Sequence, residues 1–344
     1  MNARRHFRRL RQIKPARLIT DLSNPLEALD NKEFALRFRF DKDTFLILFR
    51  LLEVDLMKGS NRGLPVPPIH CLLLTLRFLA TGTFQLVQGD LSGISQPTVS
   101  RIISKVIKVI ASRRAQFIKF PPREEEFSIR NDFYSLAGFP GVIGCIDCTH
   151  IAIQSPGGEN AELYRNRKGY FSINVQAVCD AHLRFLSLVA QWPGSVHDSR
   201  IFYNSSLCAS FENREIDGIL LGDNGYPNKA FLFTPIIHPQ SPQERRYNRA
   251  HIATRNTVER SFGLWKRRFH SIHSGLRLSM ENNLATIVAT ATLHNFAILH
   301  RQEIDHEEEI VQLPDAPLIF DGEDGIPDER SGTAIRRAFI DRHF

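Results

Sequence analysis

Apolar residues recur at helical spacing through the first third of the chain, and after residue 139 they give way to short apolar runs broken by Gly and Pro. Ile69, Leu72, Leu73, Leu76, Leu79 and Ala80 form one stripe that predicts a helix. The next segment, FQLVQGDLSGISQPTVSRIISKVIKVI, predicts a helix, a turn and a second helix. Gly93 supplies the turn, Ser95 is placed as N-cap, and Pro97 falls in the first turn of the second helix. Val99, Ile102, Ile103, Val106 and Ile110 give that helix a buried face, and Gln96, Thr98, Ser100, Arg101, Ser104, Lys105 and Lys108 occupy the other.

Further on, Gly141–Asp147 predicts a first strand and His150–Gln154 a second. Ile173–Cys179 and Leu183–Gln191 flank a turn at Asp180–Ala181–His182. A short helix starting near His197 and a strand over Ile219–Asp223 follow, then helices over Asn256–Phe269 and Leu284–His300. The acidic, Pro-containing stretch Gln302–Asp328 reads as a poorly ordered linker, and Thr333–Phe344 as a last helix. The expected organisation is a basic tail (1–20), a helical region with a helix-turn-helix-like segment (21–130), an α/β unit (131–300) and an acidic linker with a C-terminal helix (301–344).

With 344 residues and 42% apolar content, the chain can bury a sizeable core. Its most apolar stretch, Leu284–Leu299, is interrupted by Thr286, Thr290, Thr292, His294 and Asn295, short of the ~20 apolar residues a membrane span needs. Arg4, Arg5, Arg8, Arg9 and Arg11 precede no apolar run, so the N-terminus does not read as a secretory signal. The cluster reads as a nuclear-targeting or phosphate-grasping arm, or as a solvated tail. Five cysteines, an odd number, point to a reducing compartment, and nucleus and cytoplasm are the expected locations. Cys145 and Cys148 form a CxxC without a second pair, and their odd spacing on a strand sends them to opposite faces, so they read as structural. A formal charge of +7 favours a polyanionic partner. The second helix of the helix-turn-helix-like segment is then a candidate for a major groove, with Gln96, Arg101 and Lys105 as contacts; the alternative is a bundle helix with a solvated basic face.

The candidate chemistry lies in acids. Asp147 ends an apolar strand and shares a face with Ile143 and Cys145. Asp223 ends another (ILLGD), and Glu259 sits one position beside the stripe Val258, Phe262, Trp265 and Phe269. Packed together at strand ends, three carboxylates repel and their pKa values rise. Divalent cations resolve that conflict: Mg²⁺ or Mn²⁺ favours such oxygens, and two ions about 3.5–4 Å apart can activate water against a phosphodiester. Asp198, in PGSVHDSR, is a fourth candidate, as metal ligand, as an organiser of Asp147 or as a helix cap. Arg245, Arg246, Arg249, Arg255, Arg260, Lys266, Arg267 and Arg268 surround Glu259 and could follow a DNA backbone, with Lys266 and Arg267 as named candidates.

GVIGCIDCTHIAI, PGSVHDSRIF, LLGDNGYP and NTVERSFGLWKRRF, in that order, resemble the PIF/Harbinger superfamily of DDE transposases, and especially the Harbinger transposase-derived nucleases. The likeness runs from about Phe133 to the LHN segment Leu293–Asn295, and the upstream ISQPTVSRI also resembles that family. It implies an RNase H-like mixed α/β core with Asp147, Asp223 and Glu259 as catalytic triad and Asp198 as a further metal ligand. Cys148 stands where the family's DGTH form has Gly, which removes no ligand. The resemblance implies a metal-dependent DNA endonuclease working with a Myb/SANT-type DNA-binding partner. A non-catalytic DNA-binding adaptor on the same fold and an active transposase remain the alternatives.

Overall fold

The computed structural model describes residues 24–57, 66–302 and 330–344. The basic tail and, apart from Gln302, the acidic stretch lie outside the described residues. Leaving single turns aside, five helices come first: α1 (Asn31–Phe38), α2 (Lys42–Leu56), α3 (Pro68–Thr81), α4 (Gln85–Ser92) and α5 (Gln96–Ser112). Helix α6 (Glu126–Ala137) leads into β1 (Val142–Ala152), β2 (Ser172–Cys179) and β3 (Phe185–Pro193). Then come α7 (Asp198–Tyr203), α8 (Ser206–Glu212), β4 (Ile219–Leu221), β5 (Leu232–Phe233), α9 (Pro242–Arg268), α10 (Met280–Leu299) and α11 (Arg330–His343). No helix among the described residues is long and apolar enough to cross a membrane.

The helix, turn and helix anticipated around Gly93 are present as α4 and α5, with Gly93 left-handed at φ 61°. Ser95 occupies the N-cap position of α5, but its hydroxyl pairs with Thr98 Oγ1 (2.9 Å) rather than capping a backbone N–H. Helix α5 is enclosed more fully than a solvated basic face allows, because α2, α3, α4 and α10 all pack on it. Lys105 Nζ donates to the carbonyls of Leu56 (2.8 Å) and Met57 (3.1 Å), closing the C-terminus of α2. Ser104 bonds Asn282, and Lys108 pairs with Glu281. The N-terminal end of α5, with Gln96, Pro97 and Arg101, is open to solvent, as are Lys108 and Ser112 further along.

The sheet is mixed and five-stranded, in the order β3-β2-β1-β4-β5. β1, β2 and β3 run antiparallel, while β4 and β5 run parallel to β1. The two strands expected over 141–154 are one, because Cys148 and Thr149 continue the ladder opposite Gln176 and Val175. A Cβ at Gly144 would lie 2.5 Å from Val178 Cγ1, so only glycine lets β2 close on β1 there. Helix α9 begins fourteen residues earlier than the apolar stripe predicts, at Pro242. Ser241 and Glu244 form a capping box at its start, and its first half is too polar to show a stripe. β5 is too short to read from sequence.

One continuous hydrophobic cluster joins the helical region to the sheet. The LHN segment on α10 makes that connection with hydrogen bonds. Asn295 accepts from Phe185 N (2.8 Å) and donates to the carbonyls of Phe185 (2.7 Å) and Phe117 (2.8 Å), so one buried amide ties α10 to β3 and to the segment after α5. His294 Nε2 meets the Leu183 carbonyl at 2.9 Å. Helix α11 returns to the β5 side, where Phe339 packs on Phe139 and Phe233 and Arg336 donates to the Thr234 carbonyl.

Candidate active site

β4 pairs with β1 only as far as Cys145, opposite Leu221, whereas β1 continues to Ala152. This leaves a notch beside β1 at the place where an antiparallel neighbour gives way to a parallel one, the kind of switch point at which open sheets form sites. Asp147 is the second residue past the last β4 pair on β1, and Asp223 the second past Leu221, just beyond the end of β4, so parallel register brings both to the same edge. Gly225 N donates to Asp223 Oδ1 (3.0 Å), an Asx-type turn that anchors the carboxylate.

The α9 face of the sheet carries Cys145, whose thiol reaches the Thr254 carbonyl, and Asp147, which meets Arg255. Arg255 Nη1 donates to Asp147 Oδ2 (2.9 Å) and Nη2 to Glu259 Oε1 (2.5 Å), so one guanidinium bridges strand and helix. The other Asp147 oxygen accepts from Cys148 N (2.7 Å). Glu259, one turn beyond Arg255, is 53% exposed at its side chain and points toward solvent at the mouth.

The opposite face is built around Asp198, the first residue of α7. Asn174 Nδ2 donates to Asp198 Oδ1 (2.9 Å) and to the Val196 carbonyl (2.9 Å). Gln176 Nε2 contacts the Asp198 carbonyl and the Tyr226 hydroxyl, each at 3.4 Å, and Tyr226 Oη lies 3.3 Å from Cys148 Sγ. Asp198 thus comes to the notch from the side of Cys148, and it acts on Asp147 through space. The two cysteines do take opposite faces and form no disulfide.

Burial and the neighbouring Asp223, with Asp198 behind it and Arg255 opposing, push the Asp147 carboxyl up to about 8. Burial likewise raises Asp198 against the Asn174 hydrogen bond, with Asp223 adding to the rise. Burial alone would lower Arg255; the carboxylates of Asp147, Glu259 and Asp223 outweigh it and hold the guanidinium above its ordinary value. Burial and then Lys168 lower Lys266 to about 8; its Nζ donates to Thr149 Oγ1 (2.7 Å), further along β1.

Among the described residues no three His, Cys, Asp or Glu side chains stand close enough to bind one metal ion as they are placed. Arg255 holds an oxygen of both Asp147 and Glu259, and Asn174 holds one of Asp198. The donor set nevertheless fits a hard divalent cation: three half-buried aspartates at one notch, two with raised proton affinity. The buried Asn174 Oδ1 and Gln176 Oε1 beside Asp198 also have no donor.

Asp147 feels Asp223 and Asp198 through space, and Glu259 shares the Arg255 guanidinium with Asp147. Of the expected DNA contacts, Gln96, Arg101 and Arg267 are exposed, Lys266 bonds β1, and Lys105 is committed to α2. Asn174, Gln176 and the pairing role of Arg255 were missed. The amides left one trace, two polar residues alternating inside the apolar run SINVQAVC. Arg255 left none among so many basic neighbours.

Residues 146–295 match the family model of the DDE superfamily endonucleases. The human protein named "Putative nuclease HARBI1" is 35% identical over 272 residues, 78% of each chain. Its Xenopus laevis namesake is 34% identical over 271 residues, 77% of this chain and 78% of that one. An Arabidopsis thaliana "Protein ALP1-like" is 27% identical over 310 residues, 84% of this chain and 74% of the relative. No solved structure matches. The chain belongs to the Harbinger transposase-derived nuclease family.

Proposed function

We propose that this protein is a divalent-metal-dependent DNA endonuclease that hydrolyses phosphodiesters at Asp147, Asp223 and Glu259, with Asp198 as an auxiliary acid. The observation that carries this reading is the notch that Asp147 on β1 and Asp223, just beyond the parallel β4, both reach, with Glu259 tied to Asp147 through one guanidinium. One or two Mg²⁺ or Mn²⁺ ions would supply an activated water and offset charge on the leaving oxygen. Asp147 and Asp223 would be the principal ligands, each kept in place by a backbone N–H on its other oxygen. Asn174 orients Asp198, and Glu259 at the solvent-facing mouth would position the water.

The strand order, with β4 and β5 parallel to β1 and the rest antiparallel, supports an RNase H-like core. Gln96 and Arg101 at the open end of α5, with Lys266 and Arg267 on α9, would contact DNA, and the family resemblance adds a Myb/SANT-type partner. The test is nicking of plasmid and oligonucleotide DNA in Mg²⁺, Mn²⁺ or EDTA. Cleavage should need metal and vanish in Asp147→Asn and Glu259→Gln proteins; equal cutting by these variants overturns the assignment. One observation favours a non-catalytic DNA-binding adaptor: Arg255 pairs with two of the acids at once, so part of their charge is offset without a metal cation. That reading expects salt-dependent DNA binding and no cleavage with any metal.

A further inference from the structure

The groove between α4, the start of α5 and the α9–α10 connection lies outside the acidic notch. We propose that it binds an unpaired DNA base, stacked on the Phe84–Arg277 pair. The idea rests on the reading of the chain as a DNA enzyme and adds how one strand is held.

The groove encloses about 590 Å³, small-molecule size, enough for a single base and too small for a duplex. Phe84 is 61% exposed at its edge, and the Arg277 guanidinium carbon stands 4.6 Å from the ring centroid. An aromatic ring and a planar guanidinium are the two protein surfaces on which bases stack without regard to sequence. Gln85, Gln96 and Ser100 line the same groove, and among the described residues no hydrogen bond engages their side chains. Asn282 accepts from Ser104 through Oδ1, which leaves its Nδ2 as a donor. No carboxylate lines the groove, and Arg277 gives it positive charge. Leu86, Leu276 and Leu278 add apolar surface beside these polar groups.

Its position relative to the acids is set by hydrogen bonds. Leu276 N donates to the Ala152 carbonyl (2.8 Å) and Gln154 N to the Leu276 carbonyl (2.9 Å), so the loop bearing Arg277 is stitched to the end of β1. Ala152 lies five residues beyond Asp147 on that strand. At about 3.3 Å per residue the separation is roughly 17 Å, which a five-nucleotide single strand spans even when stacked at ~3.4 Å per nucleotide. Lys266, bonded to Thr149, lies along the way.

The experiment compares blunt duplex with duplex carrying a five-nucleotide single-stranded extension, with 2-aminopurine at the last position, in EDTA. The wild-type protein should bind the extended DNA about tenfold more tightly and quench the 2-aminopurine, as one stacked base provides. Phe84→Ala and Arg277→Gln should each lose most of that preference while keeping affinity for blunt duplex. Asp147→Asn should retain it. Equal affinity for the two DNAs, or a preference that survives both groove variants, overturns the proposal. A retained preference with no cleavage in Mg²⁺ or Mn²⁺ leaves the proposal standing and sinks the nuclease reading alone. Because Phe84 is exposed, unchanged thermal unfolding of its variant checks that only the groove was altered.

Discussion

Burial and the adjacent Asp223 give Asp147 a folded-state pKa near 8, against about 3.8 for the free side chain. Without a cation, folding therefore takes up a proton between those values, and the stability tied to that proton is lost as pH rises through about 8. Asp147→Asn removes the conflict. It is expected to raise the free energy of unfolding in urea, in EDTA at pH 8, by an amount on the order of 1 kcal/mol, while abolishing metal-dependent nicking. A lower midpoint would show that the bond to Arg255 outweighs the burial of charge. Arg255 invites the complementary change, since it holds oxygens that a divalent ion would need. Arg255→Gln should tighten Mn²⁺ binding in calorimetry about tenfold without DNA, a coupling of ordinary size; unchanged affinity would mean the guanidinium and the ion do not compete. At this scale Asp147 and Asp223 were legible because each closes an apolar run, and Glu259 because it flanks an apolar stripe. Asn174 and Arg255 were not, since their roles exist only across register pairs and between elements.

Elements were legible where one face is apolar and the other polar. α3 and α5 follow their stripes, whereas the first half of α9 has few apolar positions and is fixed instead by its capping box. β1 read as two strands because Asp147, Cys148 and His150 interrupt its apolar run, although its ladder with β2 runs unbroken. The LHN segment shows how a motif near a site can be structural. Asn295 serves three backbone groups, and its truncation leaves buried N–H and C=O groups without partners. Asn295→Ala is expected to cost roughly 3 kcal/mol, with an unchanged m-value in urea unfolding. A cost below about 1 kcal/mol would mean that water replaces the amide.

Over the whole molecule, buried histidines and buried acids act in opposite directions on stability. Burial holds His251 down to about 4 and His294 to about 3. The unfolded chain takes up protons on both below about 6.5 while the fold does not, so their contribution falls as pH drops below 6.5. Asp147 and Asp198, with raised values, instead lose stability as pH rises, and they partly offset the histidines on the acid side. In EDTA the urea midpoint is expected to peak near pH 6.5. Asp147→Asn should flatten the alkaline limb and His294→Gln the acid one. An alkaline limb unchanged by Asp147→Asn would remove that carboxyl from the balance.

Local patterning determined much of this protein by itself. Apolar spacing and the turn glycine Gly93 specify α3, α4, α5 and the apolar runs of β1 to β4, and four ordered acidic motifs specify the family, because these signals lie within a few residues of one another. The tertiary structure alone decided what meets. It ended β4 at Leu221 to open the notch, brought Asp198 in from the opposite face, committed Lys105 to a helix end and laid Arg255 across two acids. Those outcomes depend on strand register and helix packing between residues up to about a hundred positions apart, and no local pattern carries that information.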